Sequence, residues 1–349
     1  MIIYSSNIAQ DLSSYLSSVK HDKIFVLTDT NTREKCFPLL ETALSSWDIL
    51  PVTIKAGDIH KDIGQVNDIW EVLSFSGASR NSLLINLGGG MITDLGGFAG
   101  ATFKRGLHTL NIPTTLMASV DAAVGGKTGF NFNGLKNEIG SFYFPDCVLV
   151  DCVFLQTLDR DNLLSGYAEM IKHGLISDKQ SFYDVLSFDI EQPDFENLND
   201  LVSVSVTIKE RFVEKDPKEI NIRKALNFGH TVGHAFESLS FSRNNPILHG
   251  HAVAAGMICE LYLSHKTLGM PDKLLRQVIN FVKTHYQSTD FKCDEYDAIF
   301  DLMTHDKKNE GGQVNFTLLG DVGDIHINQT IDKENVFESF DFYRETLNC

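Results

Sequence analysis

The chain has few basic residues, no paired cysteines, no long apolar run and no internal repeat. Its 349 residues include 30 Lys or Arg against 46 Asp or Glu, a formal net charge of −16. Nucleic acid and anionic membrane surfaces both need a basic field, so neither is expected as a partner. A small anionic substrate answers to local charge and is not excluded. The six cysteines (Cys36, Cys147, Cys152, Cys259, Cys293 and Cys349) form no CxxC pair. They read as reduced thiols of a cytoplasmic protein rather than as a disulfide framework. The opening MIIYSSNIAQDLSS lacks a basic stretch followed by an apolar one, so no signal peptide is expected. The most apolar later run, AVAAGMICELYLS (252–264), contains Glu260 and is too short to span a bilayer. A buried helix is the expectation there.

Over the first 150 residues, short β-rich runs alternate with helical patterns. The runs are KIFVLTD (23–29), LPVTIKAG (50–57), SLLINLGGG (82–90), HTLNIPT (108–114) and CVLVD (147–151). Continuous apolar strands separated by helices imply a parallel sheet covered on both faces. From about residue 161 the pattern becomes helical. DNLLSGYAEMIKHGLI (161–176) sets Leu163, Leu164, Tyr167, Met170, Ile171 and Leu175 on one face, with Glu169, Lys172 and His173 on the other. PDKLLRQVINFVKTHY (271–286) opens on a proline, harmless at a helix start. The expected architecture is an α/β Rossmann-like nucleotide-binding domain over 1–160 and a mainly α-helical metal- and substrate-binding domain over 161–349.

INLGGGMITDLGGFAG (85–100) leaves a strand and opens a helix. Consecutive glycines there let backbone N–H groups approach a pyrophosphate, aided by the helix dipole. Gly88 and Gly90 fit the first two glycines of GxGxxG, but Thr93 occupies the third place. A tight turn without ligand would read the same. Asp29 and Asn31, in TDTN at the end of another strand, favour a nucleotide, because an acidic residue at that edge suits a ribose.

LNFGHTVGHAFE (226–237) places His230 and His234 four apart, on one face of a helix. With Glu169, His249 and His251 they make a candidate metal set. One carboxylate and two imidazoles with an open position suit catalytic Zn²⁺. For any one histidine a satisfied core role is commoner, and spacing alone does not say which of them bind. VDAAVGGKTGFNFNGLKNEIG (120–140) adds Asp121, Lys127, Lys136 and Asn137 in a glycine-rich loop that lacks Walker A spacing. Lys172, Lys209, Arg223 and Lys307 lie near other polar motifs. In so acidic a chain, cations that interrupt apolar or glycine-rich segments suggest anion binding.

Taken together and in order, GGGMITDLGGFAGATFKRG, IPTTLMASVDAAVGGKTGFNFNGLKNEIGSF, GYAEMIKHGLI, RKALNFGHTVGHAFE, LHGHAVAAGM and DKKNEGG resemble the 3-dehydroquinate synthase family. They span residues 85 to about 312, and TDTN extends the likeness towards the N-terminus. The family catalyses the second step of the shikimate route to aromatic amino acids. The resemblance implies that Glu169, His230 and His249 hold Zn²⁺ (or Co²⁺) and that His234 contacts the phosphate-bearing substrate. It implies NAD contacts from Asp29, Asn31, Asp58, Lys61, Gly89, Gly90, Asp94, Thr114, Thr115, Asp121, Lys127, Lys136, Phe154 and Thr157. Lys127, Lys136, Asn137, Lys172, Lys209, Arg223, Asn227 and Lys307 match positions around the substrate. Arg105 matches an arginine that reaches a neighbouring subunit's phosphate site, which implies a functional homodimer.

The implied reaction acts on 3-deoxy-D-arabino-heptulosonate 7-phosphate and uses NAD⁺ without consuming it. A hydroxyl is oxidised, phosphate leaves by β-elimination, hydride returns, the ring opens, and an intramolecular aldol closes the carbocycle. Three positions depart from the family pattern. Asp58 stands for a common glutamate, His251 for the glutamate of HGE, and Phe132 for a histidine. Arg223 suits a substrate carboxylate and favours this reading over another sugar-phosphate cyclase. A metal-dependent NAD polyol dehydrogenase would need the 127–137 lysines less. A nucleotide- or metal-binding regulatory module would have no need of the full set.

Overall fold

The structure, a computed structural model, describes residues 1–133, 135–304 and 314–347. They form two compact units: Met1–Asp159 with Asp194–Val206, and Arg160–Pro193 with Thr207–Cys349. The chain is thus not divided into two continuous segments. The helix Phe195–Lys215 starts in the first unit, where Asn199 donates to the Ser5 carbonyl at 3.3 Å, and ends in the second.

Strands β1 (Ile2–Tyr4), β2 (Ile24–Asp29), β3 (Ile49–Ile54), β4 (Leu83–Gly88), β5 (His108–Pro113) and β8 (Cys147–Val150) make one sheet in the order β1-β8-β5-β4-β2-β3. Every pairing is parallel. The five apolar runs are five of these strands. The short β1, an addition to them, pairs through Ile2–Tyr4 with Val148–Val150. Side chains alternate across the sheet. Ile24, Val26, Leu83, Ile85 and Leu87 pack with Ile8, Leu12 and Leu16 of the helix Ile8–Ser18. Phe25, Leu27 and Leu84 pack on the other side with Val66, Ile69 and Leu73 of the helix Ile63–Phe75 and with Ile92 and Leu95 of the helix Gly90–Thr102. Burial on both faces is why these strands read as unbroken apolar runs.

The 120–140 segment, expected as a glycine-rich loop, contributes to a hairpin of β6 (Lys127–Phe132) and β7 (Leu135–Phe142). Gly129 faces Gly140 across it. A Cβ on either would come within 2.4 Å of the Ile139 carbonyl or 2.2 Å of the Thr128 carbonyl. The glycines that made the segment look like a loop are what let its strands close.

The second unit contains the helices Arg160–Leu175, His230–Ser242, His249–Leu268 and Asp272–His285, with a hairpin of β9 (Asn315–Asp321) and β10 (Asp324–Thr330). The helix His249–Leu268 is buried from Ala252 to Leu261, as the AVAAGMICELYLS run predicts. Its Glu260 is fully buried and accepts from the Gly229 and Val232 amides at 2.7 and 3.1 Å. That carboxylate satisfies two of the orphan donors at the start of the helix His230–Ser242. Among the described residues, no helix is long and apolar enough to cross a membrane. Cys36, Cys147, Cys152, Cys259 and Cys293 are in no disulfide.

Candidate nucleotide and metal sites

In the first unit, β2, β4 and β5 end at Asp29, Gly88 and Pro113, so one sheet edge carries Asp29, Asn31, Gly89, Gly90, Thr114 and Thr115 of the expected nucleotide contacts. Gly89 is the N-cap of the helix Gly90–Thr102 and has no side-chain cap. A Cβ on Gly89 would meet Thr115 Cγ2 at 3.0 Å, and one on Gly90 would meet the Ala122 methyl at 3.2 Å. The glycines therefore serve close approach of the loops at Thr115 and Asp121–Ala122, as well as leaving backbone exposed. Thr93, at the third-glycine place, is buried and its hydroxyl bonds the Gly90 carbonyl at 3.1 Å. The Thr114 amide donates to Gly88 O at 3.0 Å, and Asp121 lies in a π-helical turn at Ala118–Ala122.

Asp29 Oδ1 accepts from the Asn31 and Thr32 amides at 2.8 and 2.9 Å in a capping box. One carboxylate oxygen is therefore engaged in starting the short helix Thr30–Lys35, whose Asn31 is exposed. Lys61 is buried, with Nζ on Asp94 Oδ2 at 2.5 Å and also donating to Asn137 Oδ1. Lys136 lies 3.3 Å from Asp58 Oδ2. The Asn131 side chain joins the two groups, bonding Asp58 O and accepting from the Asn137 amide. Lys127 is exposed at the start of β6, and Thr157 is half-buried with its hydroxyl on Phe154 O at 2.8 Å. Phe154 is a core residue by its side chain. It is fully buried in the core beneath the sheet, so any contact it makes with a nucleotide is through its main chain. Arg105 is exposed on a bend in which Lys104, Arg105 and Gly106 all have positive φ.

In the second unit, Glu169 is fully buried on the helix Arg160–Leu175, with its carboxylate in an ion pair with Lys172 one turn on. His230 Nε2 lies 3.4 Å and His249 Nε2 3.6 Å from Glu169 Oε1. His234 completes a trio of imidazoles, its ring 5.3 Å from His230 and 5.7 Å from His249. The ligand atoms of His230, His234 and His249 all fall within 4.8 Å of one another. Burial opposes ionisation of Glu169, but Lys172 and then His230 outweigh it and hold the carboxyl well below the usual carboxylate range. Burial pushes the His230 imidazole down, to about 3, despite Glu169.

The ring-nitrogen partners show what this centre can hold. His230 Nδ1 sits 3.1 Å from the Phe228 carbonyl and His249 Nδ1 sits 3.2 Å from Glu237 Oε2. Both partners only accept, so in the neutral rings each Nδ1 carries the hydrogen. Each Nε2 then turns a lone pair towards Glu169, whose oxygens make no hydrogen bond of good geometry. Two lone pairs aimed at a carboxylate repel; a metal cation between them relieves this, as does a proton on His249, whose pKa is pushed up to about 10, against the effect of burial, by Glu237 and then Glu169. The donor set fits Zn²⁺ or a similar borderline metal.

Sequence patterns for the two halves of one family match this chain, "3-dehydroquinate synthase N-terminal" over residues 51–165 and "3-dehydroquinate synthase C-terminal" over 166–309. A 3-dehydroquinate synthase of Parabacteroides distasonis is 62% identical over 347 residues, covering 99% of this chain and 98% of that protein. The chain belongs to the 3-dehydroquinate synthase family. Two solved structures share the fold. One is a 2-epi-5-epi-valiolone synthase of Streptomyces hygroscopicus with NAD⁺ and Zn²⁺ bound (TM-score 0.88, 22% identity, 99% of this chain and 96% of that one). The other is a 2-deoxy-scyllo-inosose synthase complexed with carbaglucose-6-phosphate, NAD⁺ and Co²⁺ (TM-score 0.87, 21% identity, 99% and 96%).

The remaining positions of the 3-dehydroquinate synthase pattern are placed as follows. Lys209 is buried on the helix Phe195–Lys215. Arg223 is 1% exposed and donates through Nη1 to Pro217 O at 2.8 Å, while Asp216 accepts from its amide. Asn227 donates to Glu219 Oε1 at 3.0 Å. Glu219 was not singled out in the sequence; its one distinguishing feature, a φ of 57°, is visible only in the fold. His251, which the sequence left open as an extra imidazole at the metal, meets other partners. Its Nε2 lies 3.1 Å from Asp161 O and its ring meets Tyr286 edge-on at 5.1 Å. His173 is fully buried on the Glu169 helix. Lys307 and the DKKNEGG segment fall outside the described residues.

Proposed function

We propose that the chain converts 3-deoxy-D-arabino-heptulosonate 7-phosphate to 3-dehydroquinate and phosphate, a carbon–oxygen lyase reaction with NAD⁺ recycled in each turnover. What carries this reading is the family match along nearly the whole chain, 62% identical to a 3-dehydroquinate synthase. The lone-pair geometry around Glu169 supports it. Glu169, His230 and His249 would hold Zn²⁺ or Co²⁺. When bound, the metal supplies a Lewis acid and NAD⁺ a reversible hydride acceptor.

The chain's own groups do the rest. Lys172, neutralising Glu169 from within the helix, brings a fixed positive charge into a buried site where charge acts strongly. Lys209 and Arg223 add cationic groups for a substrate carrying both a carboxylate and a phosphate, and Arg223 suits the carboxylate. His234, half-exposed beside the two ligand imidazoles, would contact the phosphate. The Glu219–Asn227 pair orients the asparagine amide for a ring hydroxyl. In the first unit Asp29, Asn31, Gly89, Gly90, Thr114, Thr115 and Asp121 serve the nucleotide, with Lys61, Asp94, Asn137, Lys136 and Asp58 as one linked polar cluster. Arg105 is presented outward for a partner's phosphate site in a homodimer. The protein's place is the cytoplasm, in keeping with its reduced thiols.

The test is a panel of substrates with NAD⁺ and Zn²⁺. Phosphate release from the seven-carbon acid phosphate, with none from glucose 6-phosphate, is the expected pattern. Release from the neutral sugar phosphate alone would assign another cyclase activity.

A further inference from the structure

Glu237 is a buried acid that the roles given so far leave unused. It lies three residues beyond His234 and seven beyond His230, on the same face of the helix His230–Ser242. It is 5% exposed, and its Oε2 sits 3.2 Å from His249 Nδ1. Burying a carboxylate costs several kcal/mol, on the order of the loss of a whole core side chain, unless a partner repays it. A helix face that could pack an aliphatic residue here carries an acid instead, and that acid reaches across to the first residue of a neighbouring helix.

We propose that Glu237 is a positioning residue for the metal centre, holding His249 in the one tautomer and ring rotation that points Nε2 at the metal. This rests on the reading of His249 as a ligand. A neutral imidazole that donates Nε2 to a metal must keep its hydrogen on Nδ1, and the Glu237 carboxylate accepts that hydrogen. The bond blocks a ring flip that would turn carbon towards the metal, and its negative charge makes Nε2 a better donor. His230 needs no such acid, because the Phe228 carbonyl does the same for its Nδ1. The two ligand histidines are thus oriented by different means, one by backbone within its own helix start and one by a carboxylate from another helix. Only the second can be altered by substitution.

The experiment measures Zn²⁺ affinity by chelator competition, the visible spectrum of the Co²⁺-loaded protein, and thermal unfolding of the metal-free protein. Glu237→Leu removes the acceptor but fills the space. Its metal-free unfolding temperature should equal or exceed that of the parent, since apolar replacement of a buried acid is often neutral or stabilising. Its Zn²⁺ affinity should fall by about 10- to 100-fold, with an altered Co²⁺ spectrum. Glu237→Gln keeps an acceptor without the charge and should fall between the two. A folded Glu237→Leu protein that binds Zn²⁺ as tightly as the parent, with the parental Co²⁺ spectrum, overturns the proposal. Should the leucine variant fail to fold, parental affinity in Glu237→Gln does so instead. His249→Ala separates the two levels of the argument. If it loses Zn²⁺ while the Glu237 variants do not, only the Glu237 role fails. If it binds Zn²⁺ normally, the ligand set itself is wrong.

Discussion

Gly250 is where packing and chemistry meet most tightly, so Gly250→Ala should harm both. A Cβ at this position would lie 1.8 Å from the Ser165 carbonyl oxygen and 2.7 Å from Ser165 Cα. Those atoms are backbone of the helix that carries Glu169, and Gly250 follows His249 directly in its own helix. No rotamer change relieves such an overlap, because neither atom belongs to a side chain. The two helices must part by about 1 Å, in an interior packed too densely to absorb it locally. That separation also stretches the 3.0 Å bond from the Gly250 amide to Ser165 Oγ. Overpacking of this kind costs about 1–3 kcal/mol. The chemical effect should be larger, because the same movement pulls His249 from Glu169, 3.6 Å away, and a misplacement of about 1 Å can cost about 100-fold in rate. Gly269→Ala is the control. Gly269 has a φ of 73° with nothing within 4 Å of an added Cβ, so it should lose about 1 kcal/mol to backbone strain and keep its kcat. Thermal unfolding and steady-state phosphate release on both variants make the comparison. Parental stability and turnover in Gly250→Ala would refute the reasoning.

Other outcomes follow from single contacts. Glu260→Ala should lose about 3 kcal/mol or more in urea unfolding, since it leaves the buried Gly229 and Val232 amides without their acceptor and a cavity beside them; a loss below about 0.5 kcal/mol, the range of an ordinary surface change, would contradict this. Removing the metal with a chelator should lower the unfolding temperature, and restoring Zn²⁺ to 100 times its Kd should return about 2.7 kcal/mol; equal melting of both forms would count against the site. Glu191 is held at about 2, against an ordinary 4.5, by the hydrogen bond from Arg160 and then by His285. Its contribution is therefore fully present above pH 4.5 and is lost as pH falls towards 2, so the stability gap to Glu191→Gln should close over that window at low salt. The pair is half-exposed, so the gap at pH 6 should not exceed about 1 kcal/mol, and a gap that widens in acid would be wrong in sign. Mixing Arg105→Ala with His249→Ala should restore part of the activity if Arg105 serves a partner's site, and no recovery would remove that role.

The central strands were legible because they are buried on both faces, so Ile24–Asp29 and Leu83–Gly88 read as unbroken apolar runs. β1 was not, since three residues carry no periodicity. The 127–142 hairpin was hidden by composition, because Gly129 and Gly140 signal a turn in sequence and close contact in space. The helical spacing of His230 and His234 was plain, yet Glu237 on the same face passed unnoticed. A buried acid and an exposed one look alike in a sequence; only the His249 contact distinguishes them. His251 was left open in the sequence, where adjacency to His249 suggested an extra imidazole at the metal. Two residues along a helix turn a side chain through roughly 200°, and this one meets Asp161 and Tyr286 instead. Phe154 shows a similar limit, as a core aromatic and a ligand-lining one share the same letter.

The central claim is that one NAD⁺ is reduced and reoxidised within each turnover while phosphate departs. It is tested most directly by supplying 3-deoxy-D-arabino-heptulosonate 7-phosphate, Zn²⁺ and NAD⁺ and following phosphate together with absorbance at 340 nm. Many equivalents of phosphate and 3-dehydroquinate with no lasting rise at 340 nm is the predicted result. NADH accumulating without phosphate would contradict it and point to a dehydrogenase.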